Sequence, residues 1–171
     1  MLTPSEQWTW DYCPVKDRLL LKIDDANQFV SDLTGAVLNQ KIANQPLSIN
    51  EAENFWRIQD ALQLVIQDEA ERLAFCFHAL ASRYRQMTAH KSWYFATQRQ
   101  QDISAYQLVQ LQGKDTLLGL VISSDLECIE CLLLVAGESL AGKMLSKNAV
   151  IRVLRNRAQL LELDLAVARR A

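Results

Sequence analysis

Apolar and polar residues alternate in two short runs near the start of the chain. In W-T-W-D-Y, residues 8–12, the aromatic side chains share one face, and in R-L-L-L-K-I, residues 18–23, Leu19, Leu21 and Ile23 do the same. A period of two is typical of a β-strand. Because a short P-V-K-D stretch separates the two runs, the pattern predicts a β-hairpin.

Two further segments precede the first helical pattern. Q-F-V-S-D-L-T-G-A-V-L, residues 28–38, predicts a short strand followed by a turn at Gly35. N-Q-K-I-A-N-Q-P-L, residues 39–47, has no clear period and predicts a loop.

The pattern then takes the period of a helix. Ser48 and Glu51 form the S-x-x-E spacing of a capping box, which predicts a helix that begins near Ile49. Asp68 is placed to cap a second helix. The apolar residues of this second helix recur at spacings of three and four: Ala70, Leu73, Ala74, Phe77, Leu80, Ala81 and Tyr84.

Beyond residue 89 the period returns to two. Five segments predict strands: S-W-Y-F-A-T (92–97), A-Y-Q-L-V-Q-L (105–111), T-L-L-G-L-V-I-S (116–123), L-E-C-I-E-C-L-L-L-V (126–135) and A-V-I-R-V-L (149–154). Short strands at this spacing favour a small barrel or a strongly bent sheet. The last stretch, residues 155–171, predicts either a short helix or a tail.

The change of period divides the chain. We expect an α+β protein of two domains. Residues 1–89 form the predicted N-terminal α/β domain. Residues 90–171 form a C-terminal β-rich, barrel-like domain that ends in a short tail.

Composition narrows the classes of function. The chain has 171 residues and a net charge of −2, with a pI of about 5.7. Nucleic-acid-binding proteins usually carry a basic excess, so no nucleic-acid partner is expected. The apolar runs are too short to cross a bilayer and no apolar leader opens the chain. The sequence therefore predicts a cytoplasmic protein without a membrane partner.

Cysteine and histidine offer the obvious candidates for redox or metal chemistry. Cys128 and Cys131 form a CxxC, but inside a predicted strand, and His78 and His90 lie far from ligand spacing. Free thiols are the expected state, with no metal and no cofactor. No phosphate-binding loop or nucleophile motif occurs, so catalytic residues are not expected.

The stretch H-K-S-W-Y-F, residues 90–95, admits two interpretations. On an alternating strand, Trp93 and Phe95 would fill a core. In an exposed position, aromatic and basic side chains together are typical of a protein-binding surface. Arg83 and Arg85 at the end of the second predicted helix also have two interpretations. They could belong to a protein-binding surface, or they could simply be solvated cations, which are favourable at a helix C-terminus.

Five motifs taken in order carry a family resemblance. They are W-T-W-D-Y, D-R-L-L-L, H-A-L-A-S-R-Y-R, K-S-W-Y-F and I-R-V-L-R-N-R-A. With this order and separation, the chain resembles the ZapC family of Z-ring-associated cell-division proteins from Trp8 to about Leu161. D-R-L-L-L and K-S-W-Y-F are the most specific of the five.

The resemblance implies a function that the residues alone do not show. ZapC-like proteins are cytoplasmic, need no cofactor, and bind polymerised FtsZ, the bacterial tubulin relative. The implied function is therefore a non-enzymatic factor that bundles FtsZ filaments and stabilises the Z-ring at mid-cell. The sequence does not fix the oligomeric state, and we favour a monomer. The implied partner-binding residues are Leu21, Arg83, Arg85, Lys91 and Trp93.

Two other functions stay open on the sequence. A β-barrel module could bind nucleic acid, with Trp93 or Phe95 stacking on bases. A small enzyme could hold its site between two domains. The sequence also leaves two positions open for Leu21, either in the contact with the partner or in the core of the protein.

Overall fold

The computed structural model describes residues 2–162. The chain divides into two compact units, with the boundary between Ala89 and His90. The described residues form two α-helices and several antiparallel sheets, which confirms the α+β class. The organisation into two domains stays a prediction.

The first unit contains a four-stranded antiparallel sheet in the order β3-β2-β1-β4. Its strands are β1 (Thr9–Cys13), β2 (Arg18–Lys22), β3 (Gln28–Val30) and β4 (Gln45–Pro46). The predicted hairpin is confirmed as β1 and β2, and β3 confirms the third strand. The loop prediction for 39–47 is wrong at β4, because a two-residue strand has no period that a sequence pattern could show.

Both predicted helix starts are confirmed in α1 (Ile49–Leu62) and α2 (Glu69–Ala81). The Ser48 hydroxyl accepts the N–H of Glu51 at 3.1 Å, and the Glu51 carboxylate accepts the N–H of Ser48 at 3.1 Å. Asp68 accepts the N–H of Glu71 at 2.9 Å. These contacts satisfy N–H groups that have no partner within the helix.

The predicted buried face of α2 is only partly right. Phe77, Leu80 and Ala81 are buried, as is Tyr84 after the helix, but Ala70 and Ala74 are exposed. Phe75, Cys76 and Ala79 are buried as well. Alanine contributes little apolar area, so the larger Phe75 and Cys76 side chains decide which face turns inward.

The second unit contains a five-stranded antiparallel sheet in the order β10-β7-β6-β5-β11 and a separate hairpin of β8 and β9. The strands are β5 (Leu108–Gln112), β6 (Thr116–Ser124), β7 (Cys128–Leu133), β8 (Gly137–Glu138), β9 (Met144–Leu145), β10 (Val150–Leu154) and β11 (Ala158–Leu160). Four of the five predicted strands are confirmed. The barrel-like character stays a prediction.

Two predictions for the second unit need correction. Residues 92–97 do not form a strand, because Ser92–Tyr94 is a single 3₁₀ turn. The predicted helix or tail at 155–171 begins instead with a 3₁₀ turn at Arg155–Arg157 and the strand β11. Its remaining part, 163–171, lies outside the described residues.

Neither α1 nor α2, the two helices within residues 2–162, is long and apolar enough to cross a membrane.

Candidate protein-binding site

The K-S-W-Y-F motif forms a tight turn against the outer edge of β10. The N–H groups of Tyr94 and Phe95 donate to the carbonyls of Lys91 and Ser92 at 3.0 and 3.1 Å. The Lys91 N–H donates to the carbonyl of Arg152 on β10 at 2.7 Å. The turn therefore has a fixed position on the sheet of the second unit.

This turn sends its three aromatic side chains to different environments. Phe95 is buried in the core, Tyr94 is half-buried against the same core, and Trp93 is 57% exposed. Trp93 and Phe95 would share a face on a strand, but a 3₁₀ turn separates them. The motif thus contributes both a core residue and a surface aromatic.

Lys91 and Trp93 lie together on the surface. The Lys91 Nζ is 5.3 Å from the centre of the Trp93 ring, which is cation–π distance. The Tyr94 ring meets Trp93 edge to face at 5.6 Å between centroids. Two of the sequence-predicted binding residues are therefore brought together, an exposed tryptophan beside a half-buried lysine.

The β8–β9 hairpin reaches the same turn, which the sequence did not predict. The Leu140 N–H donates to the carbonyl of Tyr94 at 2.8 Å. Leu140 and Met144 are both exposed, and Lys143 between them is exposed as well. We call Lys91, Trp93 and Leu140 the Trp93 surface.

Arg83 and Arg85 belong to the first unit. The Arg83 guanidinium lies 3.9 Å from the Glu51 carboxylate and 6.0 Å from the centre of the Tyr84 ring, with its side chain half exposed. Arg85 is half-buried and forms an antiparallel bridge with Leu38. Part of each arginine is therefore engaged in the structure of this unit.

The buried Glu51 carboxylate is the centre of a hydrogen-bond network beside Arg83. Trp10 Nε1 donates to Glu51 Oε2 at 2.6 Å, and the Tyr84 hydroxyl donates to the same oxygen at 3.1 Å. Burial and the neighbouring carboxylate raise the pKa of Tyr84. The sequence identified Glu51 only as a capping residue, because its long-range partners leave no trace in local spacing.

Leu21 is fully buried in β2. It pairs across the sheet with Trp10 on β1 and Phe29 on β3. A fully buried side chain cannot touch a partner directly. Any role of Leu21 in partner binding would therefore be indirect, through its effect on the position of β2.

An apolar groove of about 410 Å³ lies in the first unit, where β3 meets α2. Its lining contains no charged residue and consists of Leu2, Ile23, Asn27, Gln28, Phe29, Ala70, Leu73, Ala74 and Phe77. Ala70 and Ala74 are exposed and line this groove. The apolar face that the sequence showed on this helix is therefore partly the wall of the groove. Lysine and arginine do not line this groove, in contrast to the Trp93 surface.

The CxxC cysteines are poorly suited to redox or metal chemistry. Cys128 and Cys131 lie on β7 and are buried. Residues three apart on a strand point to opposite faces, and burial raises the pKa of Cys131 to about 12, so its thiol stays protonated. Among residues 2–162, three or more metal-ligating side chains do not cluster anywhere.

Sequence comparison assigns the chain to a family. The model of "Cell-division protein ZapC, N-terminal" matches residues 1–86, half of the chain. The chain belongs to the ZapC family. Its resemblance extends over both units, since the Cell division protein ZapC of Vibrio vulnificus (strain CMCP6) is 28% identical over 167 residues, which covers 92% of this chain and 91% of the relative.

A second ZapC relative supports the same assignment. The Cell division protein ZapC of Aeromonas hydrophila is 25% identical over 161 residues, which covers 91% of this chain and 90% of the relative. The protein is thus a cell-division factor of the ZapC family.

Proposed function

We propose that this ZapC-family chain binds polymerised FtsZ at the mid-cell division site and promotes the lateral association of its filaments. The action is non-enzymatic and needs no cofactor. Family membership supports a role in cell division, and the observation that carries the proposal is the exposed Trp93 beside Lys91.

The chemistry of the Trp93 surface favours a protein partner. A tryptophan offers a large, rigid contact area at low entropic cost, and residues of this kind often dominate the free energy of an interface. Leu140, whose N–H donates to the carbonyl of the adjacent Tyr94, adds exposed apolar area. Burial of this surface against a partner would remove apolar groups from water.

The positive charge of Lys91 suits the acidic filament that the family resemblance implies. Like-charged filaments repel one another, and lysine or arginine placed between them lowers that repulsion. We assign Arg83 and Arg85 the same role in the first unit.

Lateral association requires two contacts for each bridge. The Trp93 surface lies in the second unit and the apolar groove lies in the first. A monomer with one contact on each unit can therefore join two filaments, and two weak contacts act together through avidity.

Co-sedimentation with polymerised FtsZ tests this proposal. We expect the wild-type chain to pellet with filaments and Lys91→Glu to bind about tenfold more weakly, because the exchange replaces an attraction with a repulsion. Lys16→Glu is the matched control, since Lys16 is exposed in the β1–β2 turn of the other unit. If Lys91→Glu pellets like Lys16→Glu, the Trp93 surface is not the contact.

A further inference from the structure

Ser92 lies between Lys91 and Trp93 in sequence but faces the opposite way. Its side chain is only 3% exposed, whereas Trp93 projects into solvent. A buried hydroxyl needs hydrogen-bond partners, and the partners of Ser92 determine where the turn sits.

At the edge strand β10, the Ser92 hydroxyl accepts a hydrogen bond that the backbone carbonyl of a neighbouring strand would otherwise accept. The N–H of Leu154 on β10 donates to Ser92 Oγ at 2.9 Å. Together with the bond from the Lys91 N–H to Arg152, this contact attaches the turn to the strand at two points. The free edge of β10 is thereby covered by the segment that carries Trp93.

The second partner of the hydroxyl is His90. Ser92 Oγ lies 2.9 Å from His90 Nδ1. The two atoms are within hydrogen-bond distance, and the ring tautomer decides which of them donates. The hydroxyl therefore has two partners, the Leu154 N–H and the His90 ring, which together fix its rotamer.

From these contacts we propose that Ser92 is a positioning residue, which holds Lys91 and Trp93 in a binding-ready arrangement through the Leu154 N–H and the His90 ring. A side chain that is already ordered loses less conformational freedom when its partner arrives. The role in partner binding rests on the proposed function, whereas the role in ordering Trp93 is independent of the partner.

The first test compares Ser92→Ala with Ser92→Thr in FtsZ co-sedimentation. Ser92→Ala removes the hydroxyl's contacts with both Leu154 and His90, and it should weaken filament binding about fivefold to tenfold. Ser92→Thr keeps the hydroxyl and should restore binding to within about twofold of wild type. His90→Ala, a change at an exposed residue, should give a smaller loss because the bond to Leu154 remains.

The second test reads the position of Trp93 without any filament. In a Trp56→Phe background the widely exposed tryptophan is Trp93, since Trp8 and Trp10 are buried. Ser92→Ala should change the emission maximum and the acrylamide quenching of Trp93, and Ser92→Thr should not. Circular dichroism at the same temperature confirms that each variant is folded.

The outcomes separate the two proposals. If Ser92→Ala leaves Trp93 emission and quenching as in wild type, or if threonine fails to restore them, Ser92 does not position the tryptophan. If emission changes as expected but wild-type protein does not pellet with filaments, the FtsZ proposal fails and the positioning role stands. Unchanged filament binding by Ser92→Ala would overturn the link between the two.

Discussion

At the scale of single residues, Glu51 combines a local role and a long-range role. It closes the capping box of α1 with Ser48 and also accepts hydrogen bonds from Trp10 and Tyr84. A buried carboxylate without such partners would be strongly unfavourable. The network therefore joins α1 to β1 and to the 3₁₀ turn that follows α2, and Arg83 lies at the surface beside it.

Removal of the Glu51 carboxylate should destabilise the first unit. Glu51→Ala leaves the Trp10 N–H and the Tyr84 hydroxyl without their acceptor, and the free energy of unfolding should fall by about 2–4 kcal/mol. Urea denaturation measures the change. Glu53→Ala, at an exposed position of the same helix, should alter it by less than about 0.5 kcal/mol. Equal stability of the two variants would contradict the network.

At the scale of elements, local chemistry explains what the sequence predicts well. The caps of α1 and α2 use residues within three positions of each other, so the pattern contains the whole contact. The turn at 92–94 is different, because its position depends on bonds from Lys91 and Ser92 to β10 about 60 residues away. The alternating residues at 92–97 therefore predict a strand, because the local pattern contains no information about the contact with β10.

The same contrast applies to the candidate site. The family resemblance covers the motif of Lys91 and Trp93, so the sequence suggests them as candidates, and their part in partner binding stays a prediction. Leu140 gives no such signal, since it reaches the turn only through the β8–β9 hairpin, whose two-residue strands are too short to show a period. For Leu21 the sequence leaves both the contact and the core open, because its burial depends on the packed sheet.

The cap of α2 gives a prediction at this scale. Asp68→Ala removes the acceptor of the Glu71 N–H and should lower the free energy of unfolding by about 1 kcal/mol, which corresponds to about 2–4 °C in Tm for a chain of this size. Differential scanning calorimetry measures the shift. Asp68→Asn should retain most of the stability because asparagine is an equally good cap. A larger loss for Asn than for Ala would argue against capping.

At the scale of the whole molecule, each unit offers a different kind of surface. The groove of the first unit is apolar and lined by uncharged residues, whereas the Trp93 surface of the second unit combines apolar side chains with a lysine. The change of hydrophobic period near residue 89 indicated the boundary between them. The proposed function needs one filament contact on each unit, since two contacts on one chain are sufficient for a bridge.

Separate disruption of the two surfaces tests this division of labour. Ala74→Glu places a charge in the groove at an exposed position, so it should reduce bundling while binding to filaments through the Trp93 surface continues. Ala43→Glu, an exposed change beside β4 at the opposite edge of the sheet, is the matched control. Co-sedimentation at high and low centrifugal force distinguishes bound chain from bundled filaments. Equal bundling by both variants would remove the groove from the mechanism.

The most direct measurement of the central claim is the bundling of FtsZ filaments by Trp93→Ala, followed by right-angle light scattering and electron microscopy. Trp93 is exposed, so the variant should fold like wild type. We predict that scattering stays near the level of FtsZ alone and that filaments remain single, because the contact of the second unit is lost. Bundles as thick and as numerous as those made by wild-type protein would contradict the account.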